Sequence, residues 1–281
     1  FWQGLKLKLI KMFKKEFSYS LITNNNYKIY RWDPSATEVY ITQCFSDWGN
    51  EYLFLDSLEN RENKIFFDVG CHSGYYPCLF NDYFEKIVGF EPSQKCFDIL
   101  KNLDNDKNSY YQCFVGDKNI KVECTDSETG YSFYNKITKH KKTNLQELEQ
   151  ITIDDFCKKN KINNLNAIKI DVDGIDLKVL YGAKNTIESN RPSILIENYS
   201  SELFEFFKDL DYSLLSMVAL KEKPFDLNLE KLKNFDPSKW IKMICCVPNE
   251  FKKNYKNSYF KGSILSGINK KEILRNFNFK Y

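Results

Sequence analysis

The sequence predicts an α/β fold in which helices cover both faces of a mostly parallel, seven-stranded sheet. Two observations lead to this prediction. Short apolar runs, the pattern of strands buried on both faces, recur through the middle of the chain. Helical stretches separate most of these runs at the spacing of βαβ units. The candidate strands span residues 64–69, 86–90, 110–115, 167–172, 193–197, 212–219 and 240–247.

The length and composition suit one such domain with an extension at each end. The chain has 281 residues, of which 42% are hydrophobic, enough to bury a sizeable core. The sequence contains no internal repeat or low-complexity linker. We therefore expect a helical extension over 1–60, a core domain over 61–250 and a basic, aromatic tail over 251–281.

Charge and cysteine content narrow the classes of partner. The net charge is +3 and the pI about 8.2, far from the basic character of dedicated nucleic-acid binders, so nucleic acid is not expected as a partner. Nine cysteines occur without a CxxC pair, which predicts buried thiols in a reducing cytoplasm and neither disulfides nor a metal site. No apolar run approaches the ~18 residues of a membrane span. The sequence does not indicate an oligomeric state.

Residues 1–17 intersperse apolar residues with lysines at helical spacing. This pattern predicts an amphipathic helix with a basic face, and a second helix is expected over 36–60. The first helix either packs on its own domain or lies on an anionic membrane surface or a partner. We expect the chain in the cytoplasm, with peripheral contact to the inner membrane as the open alternative.

The core elements follow in chain order. KIFFDV (64–69) is an apolar run that ends at a glycine, as a buried parallel strand does. Ser93 is placed to cap a helix over 93–103, and YYQCFV (110–115) is the third strand. Residues 118–150 are polar and irregular, which predicts a long loop. The remaining helices are expected within 150–159, over 175–189 and over 201–210.

The segment Asp68-Val-Gly70-Cys-His-Ser-Gly74 stands between the first strand and the next helix. A glycine at the strand end lets the chain turn sharply, and a second glycine lets a ligand approach the backbone. The N–H groups at the following helix start can bind a carboxylate. The chain contains neither GxGxxG nor GxxxxGK[ST], which argues against a pyrophosphate or triphosphate cradle. A turn with a purely structural role is the alternative.

Acidic residues also follow the next two strands. Glu91 closes the second strand, where a carboxylate can accept hydrogen bonds from both hydroxyls of a ribose. Gly116-Asp117 closes the third strand, where a side-chain acceptor can meet an adenine amino group. Open α/β sheets bind ligands at the carboxyl ends of their strands, so these residues together predict a nucleoside-containing cofactor. A solvated loop acid is the alternative for Glu91.

The segment KIDVDGID places Asp171 and Asp173 after the fourth strand, and Glu197 ends the fifth. Carboxylates that converge at a buried strand end indicate a specific role, because burying a charge is costly unless the charge is paired or solvated. They can bind a cation, polarise an acceptor hydroxyl or cap the next helix. Asp171 is the principal catalytic candidate. Asp173 and Glu197 are further candidates, with helix capping as the alternative for Asp173.

The ordered set of motifs resembles the FkbM-type methyltransferases, which use S-adenosylmethionine on a Rossmann-like, class I methyltransferase fold. The resemblance covers about residues 64–200. The matching segments are, in order, FFDVGCHSGYY, GFEP, ITIDDF, IKIDVDGID and RPSILIE. Three positions depart from the family pattern: Cys71-His72 stands where Ala-Asn is usual, and Asp173 stands where Glu is usual.

The resemblance implies S-adenosylmethionine as the cofactor and a role for each matching position. The residues implied at the cofactor are Asp68, Gly70, His72 and Gly74 at the methionine end, Glu91 with Pro92 and Ser93 at the ribose, Gly116 and Asp117 at the adenine, and Asp171 near the transferring methyl. His72, a departure from the family pattern, would alter the cofactor contacts or act as a local base.

Methyl transfer to a small acceptor is therefore the expected function. A hydroxyl acceptor has to lose a proton, and Asp171, Asp173, His72 or Glu197 can accept it. Family members are associated with O-methylation of sugars and other metabolites, so the resemblance implies a sugar, a glycan precursor or another small metabolite as acceptor.

The polar loop is expected to be an acceptor-specific lid, because long loops beside a ligand-binding edge tend to be functional. Its Tyr131, Phe133 and Tyr134 can stack against sugar faces. Two other functions stay open. An RNA methyltransferase would use the aromatic, basic tail to contact phosphates and bases. A non-catalytic binding module would keep the fold without turnover.

Overall fold

The computed structural model describes residues 16–20, 26–30, 47, 49–127, 130–133, 145–217, 224–226 and 241–252. The chain divides into two compact units. We call residues 63–77 and 83–192 the motif unit, because they hold most of the motifs above. Residues 1–62, 78–82 and 193–281 are the flanking unit.

Strands and helices alternate through most of the described chain. The strands are β1 (Glu16–Ser20), β2 (Asn26–Tyr30), β3 (Ile65–Val69), β4 (Lys86–Phe90), β5 (Asn108–Tyr111), β6 (Phe114–Val115), β7 (Ile120–Ser127), β8 (Gly130–Phe133), β9 (Leu145–Ile151), β10 (Leu165–Ile170), β11 (Ser193–Ile196), β12 (Tyr212–Met217), β13 (Pro224–Asp226) and β14 (Ile244–Pro248). The helices are α1 (Asn50–Asp56), α2 (Tyr75–Phe80), α3 (Gln94–Leu100), α4 (Ile153–Asn160), α5 (Asp176–Tyr181), α6 (Lys184–Asn190) and α7 (Ser201–Phe207). The predicted α/β class is confirmed.

Each unit holds a set of four paired strands, and we call the set in the motif unit the main sheet. The three-residue strand β13 of the flanking unit is an addition to the seven strands that the sequence predicted. In the motif unit the order is β10-β3-β4-β5, and every pair is parallel. In this register Asp68 lies opposite Lys169 of β10 and Gly89 of β4. The carboxyl ends of these strands meet at one edge, and the segments after β3, β4 and β10 all begin there.

Aromatic side chains fill the core of the motif unit. Phe67 and Phe90, on adjacent strands, meet edge to face with ring centroids 5.5 Å apart. Phe156 of α4 packs edge to face on both, at 5.6 and 5.0 Å. Each such pair contributes about 0.5–1.5 kcal/mol beyond the area it buries. This packing fixes the positions of the strand ends that carry the motifs.

A second, four-stranded sheet occupies much of the region that the sequence predicted to be an irregular loop (118–150). Its order is β6-β9-β7-β8, with β7 antiparallel to both neighbours and β6 parallel to β9. The loop prediction is therefore wrong for the described part of this region. Residues 128–129 and 134–144, including Tyr134, lie outside the described residues.

Two predicted elements are divided in the structure. The third strand (110–115) splits into β5, in the main sheet, and β6, in the second sheet. The helix predicted over 175–189 is interrupted between α5 and α6. At this interruption a Cβ atom on Gly182 would lie 1.9 Å from the carbonyl oxygen of Gly116. The approach of another loop at this point is a long-range contact that helical periodicity does not report.

The other core elements confirm their predictions to within a few residues. Ser93 caps α3, since its hydroxyl oxygen accepts a hydrogen bond from the N–H of Cys96 at 3.4 Å. The predicted strands outside the third correspond to β3, β4, β10, β11, β12 and β14.

Antiparallel pairing characterises the strands of the flanking unit, in the order β13-β12-β14-β11. Helix α1 is tied to β12 by Asn50, whose side-chain oxygen accepts a hydrogen bond from the N–H of Met217 at 2.8 Å. The eight cysteines within the described ranges are buried free thiols, as the sequence predicted.

The predictions for the extensions are tested only in part. Glu16 and Phe17 belong to β1, which pairs with β2, so the helix predicted over 1–17 is wrong at its end. Residues 1–15 and the tail from residue 253 onward lie outside the described residues, and membrane contact stays a prediction.

Helix α1 is the described helical part of the helix predicted over 36–60, of which residues 36–46 and 48 lie outside the described residues. Among the residues that the structure describes, no helix has the length and apolar character needed to cross a membrane.

Candidate functional site

Three residues with left-handed backbone conformations shape the loop after β3. Gly70, His72 and Gly74 have φ angles of +79°, +50° and +88°. A Cβ atom on Gly70 would lie 2.0 Å from the carbonyl oxygen of Asp171, so a larger residue would push the two loops apart. The Gly70 N–H donates to the carbonyl of Phe90 at 2.9 Å, which anchors the loop to β4.

Glu91 follows β4 and is only 7% exposed. One of its carboxylate oxygens accepts a hydrogen bond from the N–H of Ser93 and the other from the N–H of His72, each at 2.8 Å. Each oxygen of an ionised carboxylate has room for a second hydrogen bond. The side chain is therefore oriented by backbone donors and can still receive two adjacent hydroxyls, such as those of a ribose.

Burial raises the pKa of the Glu91 carboxyl from 4.5 to about 7. The hydrogen bonds from Ser93 and His72 and the charge of Lys169 lower this pKa, while the charge of Asp68 raises it. Desolvation outweighs these favourable contacts. Carboxyl groups held in such surroundings occur more often at functional sites than elsewhere, so the pKa of Glu91 supports a functional position.

A buried lysine, to which the sequence analysis gave no role, lies at the same edge. Lys169 of β10 is 4% exposed, and its ammonium donates to the carbonyl oxygen of Gly70 at 2.8 Å. The same ammonium lies 3.3 Å from a carboxylate oxygen of Asp171 and 3.7 Å from one of Asp68. The sequence contains a signal for this cluster: Lys169 is a charged residue inside an apolar strand and stands two positions before Asp171.

The acidic residues after β10 differ in their surroundings. The Asp171 side chain, beside the lysine, is 39% exposed. Asp173 is exposed and has a φ of +48°. Asp176 is buried, which raises the pKa of its carboxyl, and it accepts hydrogen bonds from the N–H groups of Val172 and Gly174 at 3.1 and 3.3 Å. Asp176 therefore closes the turn on which Asp173 stands.

Gly116 and Asp117 follow β6 of the second sheet, and not a main-sheet strand as the sequence predicted. Gly116 is buried, and a Cβ atom on it would lie 2.6 Å from the side chain of Gln150. Asp117 is exposed. Two residues on, the side-chain oxygen of Asn119 accepts a hydrogen bond from the N–H of Thr152 at 2.9 Å, which fixes the loop.

The ITIDDF motif is structural support for this region. Thr152 caps α4, because its hydroxyl oxygen accepts a hydrogen bond from the N–H of Asp155 at 3.1 Å. The Asp154 carboxylate accepts four hydrogen bonds from Asn185 and Thr186, at 2.7–3.1 Å, and so holds the start of α6. The motif thus joins α4, α6 and the loop that carries Asp117.

Six of the predicted site residues form two contact groups in the motif unit. Asp68, Gly70 and Asp171 surround the buried lysine. His72 and Ser93 bind the carboxylate of Glu91. Gly74 belongs to the same loop as His72, and Pro92 lies between Glu91 and Ser93. Glu197 is exposed and follows β11 in the flanking unit.

Known proteins match this chain at the level of a domain family. Residues 68–221, more than half of the chain, match the methyltransferase FkbM domain. An FkbM methyltransferase structure from Methylobacillus flagellatus KT has 17% identity and a TM-score of 0.43, and the match covers 76% of this chain and 55% of that one. A precorrin-6y C5,15-methyltransferase from Geobacter metallireducens GS-15 has 10% identity and a TM-score of 0.37, covering 70% and 84%.

One curated relative also matches over a short stretch. The tRNA U34 carboxymethyltransferase of Aliarcobacter butzleri (strain RM4018) is 26% identical over 78 residues, which are 27% of this chain and 26% of that protein. The chain therefore aligns with only about a quarter of that relative's length.

Proposed function

The chain belongs to the FkbM methyltransferase family, and from that premise we propose that it transfers a methyl group from S-adenosylmethionine to a hydroxyl of a sugar, a glycan precursor or another small metabolite. S-adenosylmethionine is the methyl donor of this family. The observation that carries the proposal is the buried carboxylate of Glu91, oriented by two backbone N–H groups at the carboxyl edge of the sheet.

The residues around Glu91 fit an adenosine-containing cofactor. Glu91 would accept hydrogen bonds from the two ribose hydroxyls, and Asp117, exposed on a neighbouring loop, would accept one from the adenine amino group. Gly70 keeps the loop after β3 close to the loop after β10, so that both line the methionine end. The bound cofactor supplies a methyl carbon on a positively charged sulfur.

Asp171 is our first candidate for the group that receives the acceptor's proton, because it combines partial exposure with a fixed position beside Lys169. The cofactor would supply the methyl group to the acceptor oxygen, and the Asp171 carboxylate would accept the proton that the hydroxyl loses. Alignment of the reacting groups contributes ~7–11 kcal/mol in well-oriented systems. Asp173, His72 and Glu197 stay alternative proton acceptors.

The second sheet is our candidate for the acceptor side. A cavity of about 510 Å³ lies between this sheet and α4, within the ~300–1,000 Å³ usual for small ligands. Its lining combines apolar side chains, amide groups and charged side chains: Ile120, Ile151, Phe156, Asn119, Gln150, Lys121, Glu149, Asp155 and Lys159. Such a lining suits the apolar face and the hydroxyls of a sugar, which supports the acceptor role predicted for residues 118–150.

Calorimetric titration with S-adenosylmethionine and S-adenosylhomocysteine, run beside NAD, tests the cofactor. Saturable binding of the first two is expected, and a folded protein that binds neither refutes the proposal. Transfer of a labelled methyl group into a panel of sugars and nucleotide sugars then tests the acceptor.

RNA is the second candidate acceptor, and the match to a tRNA-modifying relative is the observation that favours it. The same labelled assay with bulk tRNA separates the two candidates. An RNA enzyme should also bind tRNA with an affinity that falls steeply as the salt concentration rises.

A further inference from the structure

Lys169 occupies a position where a lysine is costly. It lies within a buried parallel strand, and its side chain is only 5% exposed. Transfer of an ammonium from water to such a place is unfavourable unless partners compensate for the lost hydration. The compensation here comes from the carbonyl of Gly70 and the carboxylates of Asp68 and Asp171. These groups are also the ones that line the candidate methionine end of the site.

The ammonium joins two loops just beyond the last paired residues of β3 and β10, Val69 and Ile170. Gly70 belongs to the loop after β3, and Asp171 to the loop after β10. Lys169 contacts both at once, and it lies 5.5 Å from the ring centre of Tyr76 on α2. Loss of the ammonium would leave the carboxylate of Asp171 and the carbonyl of Gly70 without this common anchor.

The ribose end of the site has a separate support. Glu91 is oriented by the N–H groups of His72 and Ser93, and the loop that carries His72 is anchored by the Gly70 N–H on the carbonyl of Phe90. None of these contacts involves the lysine side chain. The lysine acts on this end through its charge, which lowers the pKa of Glu91. At a pH well above 7, where Glu91 is ionised, the two ends of the site can therefore be perturbed separately.

We propose that Lys169 is a positioning residue that builds the methionine end of the cofactor site by holding the Gly70 carbonyl and the Asp171 carboxylate in place. The inference rests on the proposed function, because it assumes that this edge binds S-adenosylmethionine. Lys169 acts through the two groups it holds and does not touch the reacting atoms.

Two ligands of different length test this role. S-adenosylhomocysteine fills both ends of the site, whereas 5′-methylthioadenosine keeps the adenosine and lacks the amino-acid group. Both titrations are run at pH 8.5, which favours the ionised form of Glu91. Lys169→Met should weaken S-adenosylhomocysteine binding by about tenfold or more and 5′-methylthioadenosine binding by less than about threefold. Glu91→Gln should weaken both, and Lys184→Met, at an exposed lysine of α6, should weaken neither.

The pattern across ligands decides between the interpretations. Equal weakening of both ligands in Lys169→Met, or unchanged or tighter binding of S-adenosylhomocysteine, overturns the positioning role. If Lys169→Met does not fold, Lys169→Gln decides by the same comparison: selective weakening of S-adenosylhomocysteine supports the proposal, and equal weakening of both ligands overturns it. Failure of the parent protein to bind either ligand refutes the proposed function itself.

Discussion

Glu91→Gln is expected to change the pH dependence of stability in a direction that the burial of Glu91 determines. The pKa of this carboxyl is about 7 in the folded protein, against an ordinary value of 4.5. The folded state therefore holds the proton more tightly than the unfolded chain does. The stability that protonated Glu91 contributes is fully present below about pH 4.5 and is lost as the pH rises to about 7.

The size of the effect follows from the shift. One pKa unit corresponds to about 1.4 kcal/mol, so the shift of Glu91 is worth about 3 kcal/mol in total. Between pH 5 and pH 8 the linkage relation gives about 2.5 kcal/mol of that change. A Gln side chain has no proton to lose, so the variant should gain this amount over the parent across the interval.

The substitution also changes the free energy of unfolding by a constant amount, which does not affect its pH dependence. The amide of Gln presents an NH₂ group to one of the two backbone N–H donors, of His72 or Ser93, which costs about 1–3 kcal/mol at every pH. The difference between variant and parent, followed against pH, therefore isolates the ionisation of Glu91.

Urea unfolding followed by far-ultraviolet circular dichroism, repeated from pH 5 to pH 8, measures this difference. Glu85→Gln, which removes a carboxylate from an exposed position before β4, is the control and should give a flat difference. A flat difference for Glu91→Gln would refute the reasoning. The parent protein should also bind S-adenosylhomocysteine more weakly as the pH falls below about 7, because the protonated carboxyl accepts fewer hydrogen bonds.

Two further substitutions test the supports of the site. Asp154→Ala removes the acceptor of four hydrogen bonds at the start of α6, so the free energy of unfolding measured in urea should fall by about 1–2 kcal/mol. The folded variant should keep its affinity for S-adenosylhomocysteine, and unchanged stability would contradict the scaffold role. His72→Asn should preserve S-adenosylhomocysteine affinity and add about 0.5–1 kcal/mol of stability, because the contact with Glu91 comes from the backbone and Asn adopts a left-handed conformation readily. Loss of affinity in calorimetry would show that the imidazole itself is needed.

The parallel core was predictable because its signals are local. Strands β3, β4 and β10 are apolar runs with a glycine or an acid at the end, and Ser93 is a capping residue in front of an apolar helix. The carboxyl ends of parallel strands share one edge, so Gly70, Glu91 and Asp171 could be placed together without coordinates.

The second sheet and the divided helix depend on contacts between distant segments. Residues 120–124 (IKVEC) alternate apolar and polar side chains, a strand signal that the polar surroundings of the region obscured. Nothing local indicates that Gly116 approaches Gly182, and this contact lies at the break between α5 and α6. The role of Lys169 also required the structure, because its three partners lie on one strand and two loops.

Backbone geometry is compatible with two of the departures from the family pattern. His72 and Asp173, which stand in place of Asn and Glu, have φ angles of +50° and +48°. Asn, Asp and His are the non-glycine residues that most often adopt this conformation. His72 serves Glu91 through its N–H, a contact that Asn would make equally well. Asp173 stands exposed on a turn that Asp176 closes.

The third departure, Cys71, precedes His72 in the sequence, and its packing explains it. A Cβ atom on Gly89 would lie 2.4 Å from its sulfur, so the thiol fills space that the glycine of β4 leaves open. Burial, with the charges of Asp68 and Glu91, raises the pKa of this thiol, which keeps it protonated and unreactive at neutral pH. The departures therefore preserve the backbone donors and the packing on which Glu91 depends, and none of them by itself argues for a reaction different from that of the family.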